Sequence, residues 1–243
     1  MKIIVERDYD AMSKTTEHIL LGEMLQEKRV NLAITAGSTP VKMYEYLAEA
    51  VRNKSYLNNV HYYNFDEIPV KGAEFGVTMS HLNDLFFSPA KIDPANIHVL
   101  DEKNYENQDA RIAADGGLDL ILLGIGEDGH FCGNLPGTTR FECETSRVES
   151  DATPGMREVM IGEVSGDESK IPDFYVTMGP KSVMKSRRIV LFTNGRKKAT
   201  TIRKALFGPV TNEHPSSILQ MHPNLTVVLD EEAASEIQAF LKM

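Results

Sequence analysis

The chain of 243 residues carries 35 acidic against 26 basic side chains, a net charge of −9 with histidine neutral, which argues against a nucleic-acid or anionic-membrane surface. With 42% hydrophobic and 25% charged residues it reads as an ordinary soluble globular chain, which excludes disorder and collagen-like repeats. Its longest apolar stretches, Leu120 to Leu123 and Val227 to Leu229 with their neighbours, fall far short of the roughly 18 residues a membrane helix needs.

Along the chain, short runs rich in Ile, Leu, Val or Tyr alternate with longer amphipathic ones. Strand 2–5 is followed by helix 10–28, strand 31–36 by helix 39–52, and strand 60–66 by helices 78–87 and 105–114. Strand 118–124 comes next, then an irregular stretch, 131–171, rich in Gly, Pro, Ser, Thr and Glu, which is expected to be a loop or a mobile flap. Strands 173–178 and 188–193, helix 197–207, strand 225–229 and helix 231–242 complete the series. The alternation predicts an α/β fold: an open, mostly parallel, doubly wound (Rossmann-like) sheet of about seven strands flanked by helices. No low-complexity linker, repeat or charge block interrupts it, so one domain over 1–243 is expected. The first residues reach acidic side chains before any long apolar core and show no small-residue cleavage site, which points to the cytoplasm. Cys132 and Cys143 have neither CxxC spacing nor nearby paired histidines; both read as reduced thiols, and no metal site is expected.

Ligands of open parallel sheets bind beyond the carboxyl ends of the strands, which directs attention to four strand ends. After strand 31–36 comes Gly37-Ser38-Thr39-Pro40, a flexible glycine, two hydroxyls and an N1-type proline at a helix start. This suits a phosphate cradle, since the helix N–H groups and dipole would face an anion; a capped helix without a ligand is the alternative. After residues 60–64 comes Phe65-Asp66-Glu67, two adjacent carboxylates that point to opposite faces where the strand emerges, or else a solvated strand end. After strand 118–124 comes Gly124-Ile125-Gly126-Glu127-Asp128-Gly129-His130, which matches GxGxxG by letter. The following Phe131-Cys132-Gly133-Asn134-Leu135-Pro136-Gly137 cannot easily continue as a helix, so dinucleotide binding is rejected. What remains is Asp128 two residues from His130 on a glycine-rich turn: a carboxylate that orients a proton-shuttling imidazole, or a loop histidine without a role. Asn194-Gly195-Arg196-Lys197-Lys198 opens another helix, where cations are unfavourable unless an anion sits there; a solvated basic turn is the alternative.

Taken in order, Ala36-Gly37-Ser38-Thr39-Pro40, Asn64-Phe65-Asp66-Glu67, the Gly124-to-His130 loop, Tyr175-Val176-Thr177-Met178-Gly179 and Ser217-Ile218-Leu219-Gln220-Met221-His222-Pro223 resemble the glucosamine-6-phosphate deaminase/isomerase family. Its superfamily also holds the 6-phosphogluconolactonases. The likeness covers nearly the whole chain. The segments at Asn64 to Glu67 and Leu219 to Pro223 look like the deaminase branch, whereas lactonases typically show Gly-Asp-Glu-Arg at the first, where Ile68 follows Glu67 here. The resemblance implies an amino-hexose 6-phosphate converted to a ketohexose 6-phosphate with release of ammonia and no cofactor. It implies a substrate site at Gly37, Ser38, Thr39, Glu67, Lys198 and, in the flap, Arg157. Asp66 would move a proton between C2 and C1, and His130, oriented by Asp128, would open the pyranose ring. A homo-oligomer is left open; nucleic-acid and membrane partners are not expected.

One departure stands out. Deaminases usually have Asn-Glu-Pro shortly after the catalytic histidine, and this chain reads Asn134-Leu135-Pro136, with a side chain that neither accepts nor gives a proton. Two alternatives to deamination follow: a lactone hydrolase in which His130 activates water, and a non-catalytic sugar-phosphate sensor.

Overall fold

The computed structural model describes residues 1–242; Met243, the last residue of the expected domain, lies outside the described residues. Ten strands form two sheets: β1 Lys2–Glu6, β2 Val30–Ala33, β3 Val60–Tyr63, β4 Asp66–Glu67, β5 Ile97–His98, β6 Leu120–Leu123, β7 Ser146–Glu149, β8 Phe174–Thr177, β9 Ile189–Thr193 and β10 Leu225–Asp230. The helices are α1 Tyr9–Met24, α2 Val41–Val51, α3 Val77–Leu82, α4 Ser88–Ala90, α5 Gln108–Ala114, α6 Met156–Glu163, α7 Pro180–Val183 and α8 Ala199–Phe207. A π-helical stretch, Asn83–Phe87, joins α3 to α4 as one continuous rod.

The main sheet has seven strands in the order β1-β10-β9-β6-β2-β3-β5, every neighbouring pair parallel. Its inner strands are buried on both faces, and their side chains alternate between two cores. Leu32, Leu120, Leu122, Val190, Phe192 and Val228 face α1, α2 and the α3–α4 rod. Ala33, Ile121, Leu123, Ile189, Leu191, Val227 and Leu229 face α5, α7, α8 and the C-terminal turns. That double burial is why these strands read as continuous apolar runs in the sequence.

The count of seven agrees with the sequence, but the membership differs. The predicted strand 173–178 is β8, which belongs to a second, antiparallel sheet in the order β4-β8-β7. Its place in the main sheet is taken by Ile97–His98, a pair too short to register as an apolar run. Likewise strand 60–66 is broken: Asn64 bonds the carbonyls of Asp66 and Leu100 (3.0 Å each) and accepts from Leu100 N (2.7 Å), which turns the chain from β3 into β4. The expected flap at 131–171 contains β7 and α6, folded over a small core of Val148, Met156, Met160, Val164, Ile171 and Tyr175. The predicted helix 231–242 is a run of turns with a 3-10 helix at Phe240–Lys242.

Strand order reverses between β2 and β6: from β2 the chain runs outward through β3 and β5, then returns to β6 on the other side of β2. Loops leaving the two strands diverge there, and a crevice opens above their carboxyl ends.

Candidate active site

The crevice holds a cavity of about 350 Å³ lined on one side by Thr35 to Pro40, on another by Gly124 to Gly126 with His130, and roofed by the small sheet and α6. Gly37 takes φ +100°, a conformation that favours glycine. Tyr9 Oη fixes the loop by donating to Thr39 O (2.9 Å) and accepting from Lys42 N (3.1 Å). Pro40 occupies the cap position of α2 and contributes no side-chain acceptor, so that, apart from the Lys42 N–H held by Tyr9, the positive end of this 11-residue helix is open to an anion. Lys198 ends the 3-10 turn Arg196–Lys198 and lines the same cavity; its Nζ donates to Ile125 O (2.7 Å), and burial lowers its pKa. Arg196 and Lys197 point to solvent.

Asp66 and Glu67 are adjacent on β4 and turn opposite ways, as strand geometry dictates. Asp66 lines the cavity, and its carboxylate accepts from Thr78 Oγ1 (3.0 Å). Burial pushes it up to about 6, against the hydrogen bond of Thr78 and the charge of His130, and with the charge of Glu163. Glu67 is 1% exposed and faces away. It accepts from the backbone N–H groups of Ile68 (2.9 Å), Thr78 (2.8 Å) and Met79 (3.0 Å), serving as a remote cap for α3, whose own cap residue is Gly76. Burial raises its pKa to about 8, against these three donors.

The loop after β6 closes on itself through Gly126 N to His130 O (2.9 Å) and Gly129 N to Gly126 O (3.1 Å). His130 Nδ1 lies 2.7 Å from Asp128 Oδ1. Burial raises the Asp128 carboxyl, but the hydrogen bond and charge of His130 outweigh it and hold it at about 2. An ionised Asp128 accepts only, so Nδ1 carries the hydrogen and Nε2 is the nitrogen that exchanges protons. Gly126 is required by contact: a Cβ there would lie 2.1 Å from His130 Nδ1. Thr201 on α8 donates to Glu127 O (2.6 Å), and Ser216 N, in the 3-10 segment Pro215–Met221, donates to Gly129 O (2.9 Å). No helix follows this loop; Phe131 and Asn134 form an isolated antiparallel bridge, so the context of a dinucleotide fingerprint is absent.

Gly37, Ser38, Thr39, Asp66, His130 and Lys198 thus share one cavity, with Asp128 behind His130. Glu67 and Arg157 are not among its lining residues. Glu67 is committed to α3, and the Arg157 guanidinium, on the outer side of α6, pairs with Glu168 at 3.0 Å. Leu135 does line the cavity and also packs on the small flap core. Thr78, His81, Cys132, Val159, Met160, Glu163 and Tyr175 line it as well, none of them assigned to the site from the sequence. Their approach depends on β4 and β8 pairing and on α6 folding back, contacts between positions far apart that no local pattern marks. Cys132 and Cys143 are both free thiols. Among the described residues no group of three or more His, Cys, Asp or Glu could hold a metal ion, and no helix is long and apolar enough to cross a membrane.

A family model for glucosamine-6-phosphate isomerases/6-phosphogluconolactonase matches residues 9–228. The chain is 33% identical over 252 residues to glucosamine-6-phosphate deaminase of Clostridium acetobutylicum, covering 96% of this chain and 99% of that protein. It is 32% identical over 245 residues to that of Clostridium botulinum, at 97% and 96% coverage. Among solved structures it superimposes on a monomeric glucosamine-6-phosphate deaminase with a TM-score of 0.82 and 27% identity, covering 97% of this chain and 100% of the other. The 6-phosphogluconolactonase of Trypanosoma cruzi, 18% identical with a TM-score of 0.76 over 98% and 97% of the two chains, shares the fold.

Proposed function

The chain belongs to the glucosamine-6-phosphate isomerase/6-phosphogluconolactonase family, and on that footing we propose that it is a cytoplasmic amino-sugar phosphate deaminase, converting an amino-hexose 6-phosphate and water to a ketohexose 6-phosphate and ammonia. Asp66 carries this reading: a carboxylate in the cavity, held near pH 6 by burial, beside an imidazole whose tautomer is set by Asp128. A carboxylate so poised is basic enough to take a proton next to a carbonyl and acidic enough to return it.

The phosphate is held by the Gly37–Thr39 loop, the N-terminus of α2 and Lys198. His130 transfers the proton between O1 and the ring oxygen that opens the pyranose. Asp66 then removes the C2 proton of the open aldehyde, the electron pair shifts to O1, and O1 takes a proton from the C2 ammonium to give an enolamine. Returning that proton to C1 leaves an imine at C2; water adds there, and the C–N bond breaks to release ammonia and the ketose. Every step is proton transfer, addition of water, or a C–O or C–N cleavage assisted by a proton, which carboxylate and imidazole conduct without a metal or redox cofactor.

The test is incubation with glucosamine 6-phosphate, galactosamine 6-phosphate and 6-phosphogluconolactone, following ammonia, ketose phosphate and lactone. Ammonia and ketose in equal amounts from an amino sugar are expected. Lactone hydrolysis without ammonia would reassign the chain as a lactone hydrolase. Leu135 on the cavity wall favours one second reading, a sugar-phosphate sensor without ring-opening power, and tight binding with no turnover would establish it.

A further inference from the structure

The cavity face of α6 carries a charge that nothing in the protein balances. Met156 and Met160 are buried in the flap core, while Val159 and Glu163, four residues apart, line the cavity; Val159 is 45% exposed. Glu163 is the last residue of α6, where unpaired carbonyls already concentrate negative charge, and no basic residue lies in that turn. Among the described residues Glu163 has neither an ion pair nor a hydrogen bond through its side chain; the flap's own cations pair elsewhere, Arg140 with Glu142, Arg147 with Glu149, Arg157 with Glu168 and Lys170 with Asp167. Asp66 and Glu163 are the two carboxylates among the lining residues. Both stand in the roof of the cavity, on β4 and α6, whereas Lys198 is bonded to Ile125 O on the wall formed by the loop after β6 (2.7 Å).

An amino-hexose 6-phosphate has the matching polarity, an anion at C6 and an ammonium at C2. Asp66 must stay free to take the C2 proton, and during that step it becomes neutral. The ammonium therefore needs a second counter-charge. We propose that Glu163 binds the C2 ammonium and sets the preference for amino over hydroxyl hexose phosphates, an inference that rests on the deaminase reading above. Leu135, which packs on the same flap core as α6, offers no charge to an ammonium, and Glu163 is the lining carboxylate that stands beside Asp66.

The test uses two alditol phosphates, 2-amino-2-deoxyglucitol 6-phosphate and glucitol 6-phosphate, which differ only at C2 and, lacking a carbonyl, cannot react. Dissociation constants are measured by calorimetry for the wild type and for Glu163→Gln and Glu163→Asp. Glu163→Gln is expected to weaken the amino ligand about tenfold and the hydroxyl ligand less than about twofold, with Glu163→Asp in between. Equal losses for both ligands, or none, would overturn the proposal. Ammonia release by the wild type is assayed in parallel: discrimination that depends on Glu163 without ammonia release would overturn the reaction and keep the ammonium site.

Discussion

At the scale of single residues, Asp66, Lys198 and Leu135 carry separable expectations. Asp66→Asn should abolish solvent-deuterium exchange at C2 while the protein stays folded; full exchange in a folded variant would remove Asp66 from its role. Because the proposed base acts in its ionised form, kcat/KM should fall about tenfold per pH unit below about 6. The same shift has a stability sign. A carboxyl whose pKa is higher folded than unfolded opposes folding as pH rises from 3.8 towards 6. Asp66→Asn should therefore raise stability at pH 8, by the order of 1 kcal/mol after solvent screening, and a lower Tm there would contradict the burial of this group. Lys198→Ala should weaken phosphate-ester binding by about ten- to a hundredfold, and unaltered affinity in a binding assay would exclude it as a phosphate ligand. Leu135→Glu introduces the carboxylate that the family resemblance leads one to expect there and should raise ammonia release from glucosamine 6-phosphate by the order of 10²-fold. A fall would make the leucine a specificity contact.

At the scale of elements, Glu67 links the fold to the chemistry. It holds the first N–H groups of α3 in place of a cap residue, and the Thr78 of that same turn bonds Asp66. Glu67→Ala should cost roughly 2 to 4 kcal/mol in denaturant unfolding, since two buried donors and a half-buried one lose their acceptor. It should also lower kcat at temperatures where the variant remains folded; unchanged kcat would mean that Thr78 does not position Asp66. The sequence shows Asp66 and Glu67 as a pair of carboxylates at a strand end, and alternation says that they diverge. Only the antiparallel pairing of β4 with β8 decides which of them enters the cavity. The flap is the converse case. Its Gly, Pro and Ser content hides an eight-residue helix whose apolar face, Met156 and Met160, has no partner until β7 and β8 fold beneath it.

At the scale of the whole molecule, Asp119 ties the start of β2 to the turns before β6 and β9. It is 2% exposed, accepts from Asn31 N (2.9 Å) and pairs with Lys28 (2.5 Å) and Arg187. Burial raises its carboxyl, but the hydrogen bonds of Lys28, Asn31 and Arg187 outweigh that and hold it below 3.8. A lowered folded-state pKa stabilises above the unfolded value, and that contribution is lost as pH falls through the folded one. Asp119→Ala should therefore lower stability by about 2 to 3 kcal/mol at pH 7, with a smaller difference from wild type near pH 3 in urea titrations. A pH-independent difference would assign the cost to packing alone.

The sequence by itself determined the α/β class, the loops after strands 31–36 and 118–124, and the family likeness, because each rests on local matters: apolar period, glycine and hydroxyl spacing, and short motifs. It also located Gly37, Ser38, Thr39, Asp66, Asp128, His130 and Lys198 at or beside element ends, where parallel sheets bind ligands. The tertiary structure decided what local patterns cannot carry. Strand order brings the β2 and β6 loops to one crevice, the partner of β8 moves it out of the main sheet, and the tilt of α6 sends Arg157 to Glu168 and Glu163 to the cavity. Those outcomes depend on which distant segments pair, and pairing energy lies in contacts between residues whose spacing along the chain holds no periodic trace.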